Sequence, residues 1–341
     1  RLTDECLNEA FHWLSGDGRI AIFDATNGTR ERRRKIRERC AASGVELMFV
    51  ELLENDPAVI EENVRETKVT SPDYIDVDTT TALRDFRTRI AHYESVYSSL
   101  SDEDGSWIRT ENRGRTTVIH RVHGWVPGRV VSFLTNLQVT RRQVWLTRHG
   151  ESEFNVAGRI GGNSVLSAAG RRYADALAGH VGAHAVELPD LDVWTSTLDR
   201  TIQTAAPVCT ALGIEPGDWK ALDEIDSGVC DGMTYEEIAE RMPDEFAARA
   251  QDKLGYRYPG GESYDDVIQR LDRVIVELER YRTPVLVVAH RAVLRALYGY
   301  FVQLPRERVP HIDMPLHNII ELTPTAYGCQ QEWRKIEVEG L

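Results

Sequence analysis

In the stretch WLTRHGESEFN (145–155) an apolar run ends, and Arg148, His149 and Gly150 follow. A guanidinium beside an imidazole disfavours the imidazolium, which leaves His149 in the neutral form that acts as a nucleophile. The same guanidinium offers a planar fork that fits phosphate oxygens. Two other runs end in a similar way. LDVWTSTLDR closes at Ser196 and opens a helix carrying Arg200, and PVLVVAHRAVLRAL closes its run at His290. In open α/β sheets, ligands collect beyond the carboxyl ends of the strands. Two histidines and two arginines would then converge on one spot. Such a set suits phosphoryl transfer without a metal: arginine forks hold the oxygens and a neutral imidazole attacks phosphorus. Taken singly, His290 reads as a satisfied core histidine, Arg200 as a solvated helix residue, and the RHG tripeptide as a surface turn. Their joint occurrence at three strand ends favours the reactive reading.

The elements that must position these residues alternate in type. In the second part the pattern predicts strands at 144–146, 191–196, 285–289 and 318–323. Helices are predicted at 167–183, 199–212, 234–250, 263–281 and 291–303. In the first part, strands are predicted at 18–26, 45–50 and 130–139, and helices at 29–43, 56–68 and 78–100. A hairpin is predicted over 106–122, turning at Asn112–Gly114. Alternation of this kind implies parallel sheets. The fold class is therefore α/β with two domains, 1–140 and 141–341.

The chain has 341 residues, 42% hydrophobic and 28% charged, ordinary for globular domains that bury a core. Its net charge of −13 is uneven: residues 1–142 hold 21 Lys+Arg and 23 Asp+Glu, whereas 143–341 hold 20 and 31. The acidic bulk argues against nucleic acid or an anionic membrane as partner. Any anionic substrate must be held by arginines gathered locally. Cys6, Cys40, Cys209, Cys230 and Cys329 form no CxxC pair, which fits a reduced, cytoplasmic protein without structural zinc or a disulfide framework. No stretch approaches a membrane span and no signal peptide is visible.

The RHG motif, the later Arg200 and the strand-end His290 together resemble the histidine phosphatase superfamily, also called phosphoglycerate mutase-like. RHGESEFNVAGRIGGNSVLSAAG, WTSTLDRTIQTA, ALDEIDSGVCDGMTYEEI, YRYPGGESYDDVIQRL and TPTAYGC are jointly similar to the bisphosphatase domain of the bifunctional 6-phosphofructo-2-kinase/fructose-2,6-bisphosphatase family. Upstream, IAIFDATNGTRERR, ENDPAVIEENV, SPDYID and RIAHYE resemble the same family's kinase domain. The resemblance implies hydrolysis of fructose-2,6-bisphosphate to fructose-6-phosphate through a phosphohistidine at His149, with no cofactor. It places Arg148, Arg200, Asn155 and His290 around the phosphoryl group and makes Glu224 the general acid. It gives the sugar 6-phosphate to Arg249, Lys253 and Arg257 with Tyr235, and backbone contacts to Ile160 and Gly161. Those three basic residues fall at i, i+4 and i+8, a spacing that a helix would align on one face.

Two departures qualify what the resemblance implies. Arg291 stands where the family usually has a glutamine that contacts the sugar, which adds a cation and removes an acceptor. In the first part, Asp24, Thr26, Arg30, Lys68, Arg89 and Tyr93 match positions that bind fructose-6-phosphate. The chain contains no Gly-Lys pair, however, and so no GxxxxGK[ST] loop to cradle ATP. The first domain then reads as an incomplete P-loop-kinase-like sheet, with ATP and Mg²⁺ needed only in a complete kinase domain and no kinase activity expected of this chain. Other readings stay open: a phosphoglycerate mutase-like or broad phosphomonoesterase, or a non-catalytic regulator that binds sugar phosphates. The family's pairing through kinase domains leaves a homodimer open as well.

Overall fold

The computed structural model describes residues 2–67, 79–136, 142–184, 186–325 and 328–338. The chain divides into two compact units, Arg1–Leu137 and Gln138–Leu341.

The first unit runs α1 (Leu2–Ser15), α2 (Arg30–Ala42), β1 (Phe49–Leu53), α3 (Pro57–Thr67), α4 (Thr79–Val96), β2 (Trp107–Glu111), β3 (Thr116–His120) and α5 (Trp125–Asn136). Thr29 caps α2 by accepting the Arg32 N–H at 3.3 Å, and Pro57 opens α3, where a missing N–H costs nothing. β1 pairs with β2 in parallel and β2 with β3 antiparallel, so this sheet is mixed rather than all parallel. The hairpin falls as predicted, with Asn112, Arg113 and Gly114 all at positive φ. Register sets Glu51 opposite Arg109. The buried Glu51 carboxylate accepts from Arg109, from the Tyr97 hydroxyl and from Ser99 Oγ (2.9 Å). Arg33, buried on α2, pairs with Asp104 at 2.8 Å and donates to the carbonyls of Asn27, Ser98 and Ser99. A buried ion pair is tolerated only when its remaining donors are satisfied in this way.

Three expectations fail here for physical reasons. Residues 18–26 form no strand: no described strand runs beside them to complete a ladder, and Ile22 is 91% exposed. Residues 130–136 lie in α5, because Val126, Val130 and Phe133 recur at helical spacing and Pro127 sits in the first turn, where a helix accepts it. The remaining residues of that expected strand, 137–139, fall outside the described residues. The strand expected at 45–50 begins only at Phe49, the residue whose partner Trp107 opens β2.

The second unit contains β4 (Val144–Arg148), α6 (Glu153–Val156), α7 (Ala168–Ala183), β5 (Asp192–Thr195), α8 (Asp199–Leu212), β6 (Gly217–Asp218), α9 (Tyr235–Arg241) and α10 (Pro243–Gln251). It continues with α11 (Tyr264–Arg270), α12 (Asp272–Arg280), β7 (Val285–Ala289), α13 (Arg291–Phe301), β8 (Asn318–Thr325) and β9 (Gly328–Lys335). The strand order is β6-β5-β7-β4-β8-β9, with β6, β5, β7 and β4 parallel and β8 and β9 antiparallel. Both central strands, β4 and β7, are buried at every residue, as strands covered on both faces must be. Their side chains alternate between two cores. Val144, Leu146, Val285 and Val287 face Val267, Leu271, Leu278 and Leu297. Trp145, Leu286 and Val288 face Tyr173, Leu177, Ala205 and Val208. The helix expected at 234–250 is broken into α9 and α10 at Pro243, which opens α10, and the helix expected at 263–281 is interrupted at Leu271.

Candidate active site

Three parallel strands deliver the central residues. Arg148 ends β4 and lies in register with Ala289, the last residue of β7, so His149 and His290 leave adjacent strand ends together. The His149 N–H donates to the Ala289 carbonyl at 3.0 Å, and the two imidazole centroids lie 5.1 Å apart. β5 ends at Thr195, and its continuation brings Ser196 beside His290 and places Arg200 in the first turn of α8.

His149 is buried, and its Nδ1 lies 2.7 Å from the Gly150 carbonyl. A carbonyl only accepts, so Nδ1 carries the proton and Nε2 presents its lone pair. Burial holds the ring's pKa well below the usual histidine range, with Arg200 and then Arg148 adding to the effect. The sequence assigned this task to Arg148 alone, whereas burial is the larger cause. Gly150 has a role in space more than in φ. A Cβ there would meet the Gly170 carbonyl oxygen at 2.5 Å, so the glycine lets the loop after β4 lie against the start of α7. The Gly150 N–H donates to Thr204 Oγ1 of α8 at 2.9 Å.

His290 is fully buried and is likewise held neutral by burial, Arg200, His149 and Arg148. Its Nε2 is 2.7 Å from Ser196 Oγ, while Nδ1 is buried without a partner. Arg148 donates to the Met314 carbonyl at 2.7 Å, and its Nε is also buried and unpartnered. Burial and Arg291 bring its pKa down to about 10, so it stays a cation at neutral pH. Arg200 donates to the Gly162 carbonyl at 2.7 Å. An unpaired buried donor such as Arg148 Nε is what a phosphoryl oxygen satisfies.

Glu224 caps α13: its carboxylate accepts the N–H groups of Arg291 and Ala292, each at 3.1 Å, and of Ile225 at 2.9 Å. This brings it to the first residues after His290. Asn155 uses Oδ1 to accept the Ser152 N–H at 3.0 Å, which leaves its NH₂ as a donor beside the RHG loop. Ile160 spends both backbone groups within the chain, on Met233 and Gly232. Gly161 is at positive φ, and a Cβ on it would overlap Asp231.

The second cationic group is assembled differently from the expectation. α10 ends at Gln251, so Lys253 and Arg257 lie beyond it and no helical face aligns the three. Arg249 lies over the Tyr235 ring and donates to the hydroxyls of Tyr258 (2.8 Å) and Tyr235 (3.1 Å). Lys253 donates to the Pro310 carbonyl at 2.8 Å; burial, with Arg295, Arg249 and Arg291 nearby, pushes its pKa down to about 8. Arg257 is exposed and pairs with Asp266 at 2.5 Å. Arg295, one helical turn after Arg291, was not singled out from the sequence. It is buried, held by the Ile312 carbonyl and by Tyr264 Oη at 2.9 Å, and it is a cation felt by both Arg148 and Lys253. Tyr264 was missed as well, and Ser196 was read as a strand end but not as the partner of His290. Ser196 sits four residues before Arg200 in the quoted motif, but Tyr264 carried no signal.

In the first unit, Arg30 donates to Ser98 Oγ at 3.1 Å, Arg89 lies over the Phe86 ring, and Asp24, Thr26 and Tyr93 are exposed. Lys68 lies outside the described residues. Among the described residues no group of three or more His, Cys, Asp or Glu is arranged to hold a metal ion, and no helix is long and apolar enough to cross a membrane.

A neutral histidine among arginines at the carboxyl end of this sheet is the site of a histidine phosphatase. Residues 144–336 match the histidine phosphatase superfamily (branch 1), and residues 1–141 match 6-phosphofructo-2-kinase. The fold is shared with a putative α-ribazole-5'-P phosphatase from Escherichia coli (TM-score 0.53, 22% identity), which aligns over 59% of this chain and 100% of its own. The chain is 47% identical to human 6-phosphofructo-2-kinase/fructose-2,6-bisphosphatase 1 over 98% of its length and 70% of the relative's. It is 46% identical to the Arabidopsis thaliana 6-phosphofructo-2-kinase/fructose-2,6-bisphosphatase, over 97% of its length and 44% of the relative's. The chain belongs to the bifunctional 6-phosphofructo-2-kinase/fructose-2,6-bisphosphatase family.

Proposed function

We propose that the second unit hydrolyses fructose-2,6-bisphosphate to fructose-6-phosphate and phosphate. The observation that carries this is the bare Nε2 of a neutral His149, set among Arg148, Arg200 and His290 in a chain of this family. His149 Nε2 attacks the 2-phosphoryl phosphorus, and the bond from phosphorus to the sugar oxygen breaks. Glu224 gives a proton to that leaving oxygen. Water then attacks the phosphohistidine, Glu224 takes a proton from it, and phosphate leaves. Arg148, Arg200, Asn155 and His290 carry the charge that develops on the phosphoryl oxygens, without a metal ion. Arg249, Lys253 and Arg295 hold the 6-phosphate, with Tyr235 and Tyr264 orienting the arginines. Arg291 brings a further cation to this region.

The first unit has no Gly-Lys phosphate-loop pair, so the proposal confines catalysis to the second unit. ATP-dependent formation of fructose-2,6-bisphosphate by this chain would overturn that. The five cysteines are all free, which supports a reducing, cytoplasmic setting. The test of the main reading is to incubate the chain with fructose-2,6-bisphosphate labelled at the 2-phosphate, then quench. Acid-labile label on the wild type, absent from His149→Ala, is the expected result. A stable complex with neither label nor turnover would mean a sugar-phosphate-binding regulator instead.

A further inference from the structure

Glu224 has no rigid element of its own. It follows a short 3-10 turn, Lys220–Leu222, and lies on the irregular segment 223–227 that precedes the next such turn. A general acid must nevertheless be held within a fraction of an ångström of the leaving oxygen. The first N–H groups of α13 hold its carboxylate, and one side chain restrains the backbone that carries it. Arg270, at the end of α11, donates from Nη1 to the Ala221 carbonyl and from Nη2 to the carbonyls of Asp223 (2.7 Å) and Glu224 (3.3 Å). The Nε edge of its guanidinium is fixed by Glu262, through Nε to Oε1 at 2.8 Å and Nη2, shared with the two carbonyls, to Oε2 at 3.1 Å. Glu262 Oε2 also accepts the Asp226 N–H at 3.1 Å, so the same pair restrains the segment on both sides of Glu224. Asp223 ties the segment to the strand end at β5, accepting the N–H and the hydroxyl of Thr197 at 2.8 Å each.

We propose that Arg270, clamped by Glu262, is a positioning residue that sets the carboxyl of Glu224 against the leaving oxygen. This rests on the general-acid reading of Glu224 given above. A guanidinium suits the task because its planar donors reach several carbonyls at once, which an ammonium cannot do from one position. Arg270 does not touch the phosphoryl group in this reading. It is also the last and smallest of the charges that hold His290 neutral, so its loss should slow an ester that needs a proton far more than one that does not.

The experiment measures leaving-group release in a single turnover with enzyme in excess, so that hydrolysis of the phosphohistidine does not enter. Two esters are compared: fructose-2,6-bisphosphate, whose sugar oxygen needs a proton, and 4-nitrophenyl phosphate, whose nitrophenolate leaves without one. Arg270→Met is expected to slow the sugar ester about 100-fold, the effect of misplacing a reacting group by about 1 Å. It should slow the aryl ester by less than about threefold, since no proton transfer is lost there. Glu262→Gln, which keeps an acceptor for Asp226 but loosens the guanidinium, should show the same selectivity at about tenfold, and it carries the test if Arg270→Met does not fold. Equal slowing of both esters, or an unaffected sugar ester, overturns the proposal and leaves Arg270 a structural residue. Glu224→Gln serves as the benchmark. If it shows no preference between the esters, the general-acid reading has failed; if it does and Arg270→Met does not, the clamp alone has failed.

Discussion

Gly150→Ala tests whether the loop after β4 is held by backbone contact. A Cβ on residue 150 would lie 2.5 Å from the Gly170 oxygen, against the 3.4 Å at which ordinary contact begins, so the two segments must part by about 0.9 Å. The Gly170 Cα and carbonyl carbon stand at 2.8 and 3.0 Å, so every obstructing atom is backbone and none can rotate away. The Gly150 carbonyl accepts the His149 Nδ1 proton, and the displacement passes directly to the nucleophile. An error of about 1 Å in a reacting group costs about 100-fold in rate, and the overpacking costs about 1–3 kcal/mol of stability. The assay is single-turnover phosphohistidine formation alongside thermal unfolding. Gly179→Ala, inside α7 with nothing within 4 Å of the new Cβ, is the control. It should add about 0.5–1 kcal/mol of stability and leave the rate alone. A Gly150→Ala chain with a lowered Tm but a phosphorylation rate within about threefold of wild type would refute the coupling of loop position to the nucleophile.

The other expectations concern charge. Lys253, brought down to about 8 by burial and its neighbouring arginines, is an ammonium below that pH and neutral above it. Its attraction for a second phosphate is therefore present at pH 7 and lost as pH rises through 8. Between pH 7 and 9, kcat/KM for fructose-2,6-bisphosphate should fall about tenfold, and Lys253→Met should remove this limb; a wild type flat over that range contradicts the assignment. Arg33→Met leaves Asp104 buried without its partner, and breaking such a pair costs about 3–5 kcal/mol. Amide exchange in β1 and β2 should then accelerate, and unchanged protection would show the pair to be dispensable.

What could be read from the sequence follows from which forces act locally. β4, β5 and β7 are short apolar runs closed by polar residues, and their carboxyl ends carry Arg148–His149, Ser196 and His290, so the sheet and its central residues were legible together. β9 was not, because GCQQEWRK is an edge strand whose exposed positions show no apolar alternation. The strand assigned to 18–26 had apolar residues but no neighbour to pair with. The spacing of Arg249, Lys253 and Arg257 suggested a helix that ends at Gln251. Two of those residues still reach the cationic group, or lie near it, by paths that periodicity does not encode.

The residues the sequence missed share a different property. Arg295 contributes because α13 returns past Tyr264 and Ile312, and Arg270 because α11 ends beside the carbonyls of 221–224. Both lie inside quoted runs without standing out there, since each spends its donors on carbonyls, a hydroxyl or a carboxylate within the chain. In a site where burial favours neutral histidines and opposes every cation, fixing the arginines is as demanding as supplying them. The motifs identify the groups placed to meet the phosphoryl oxygens. The tertiary contacts determine whether those groups are aimed.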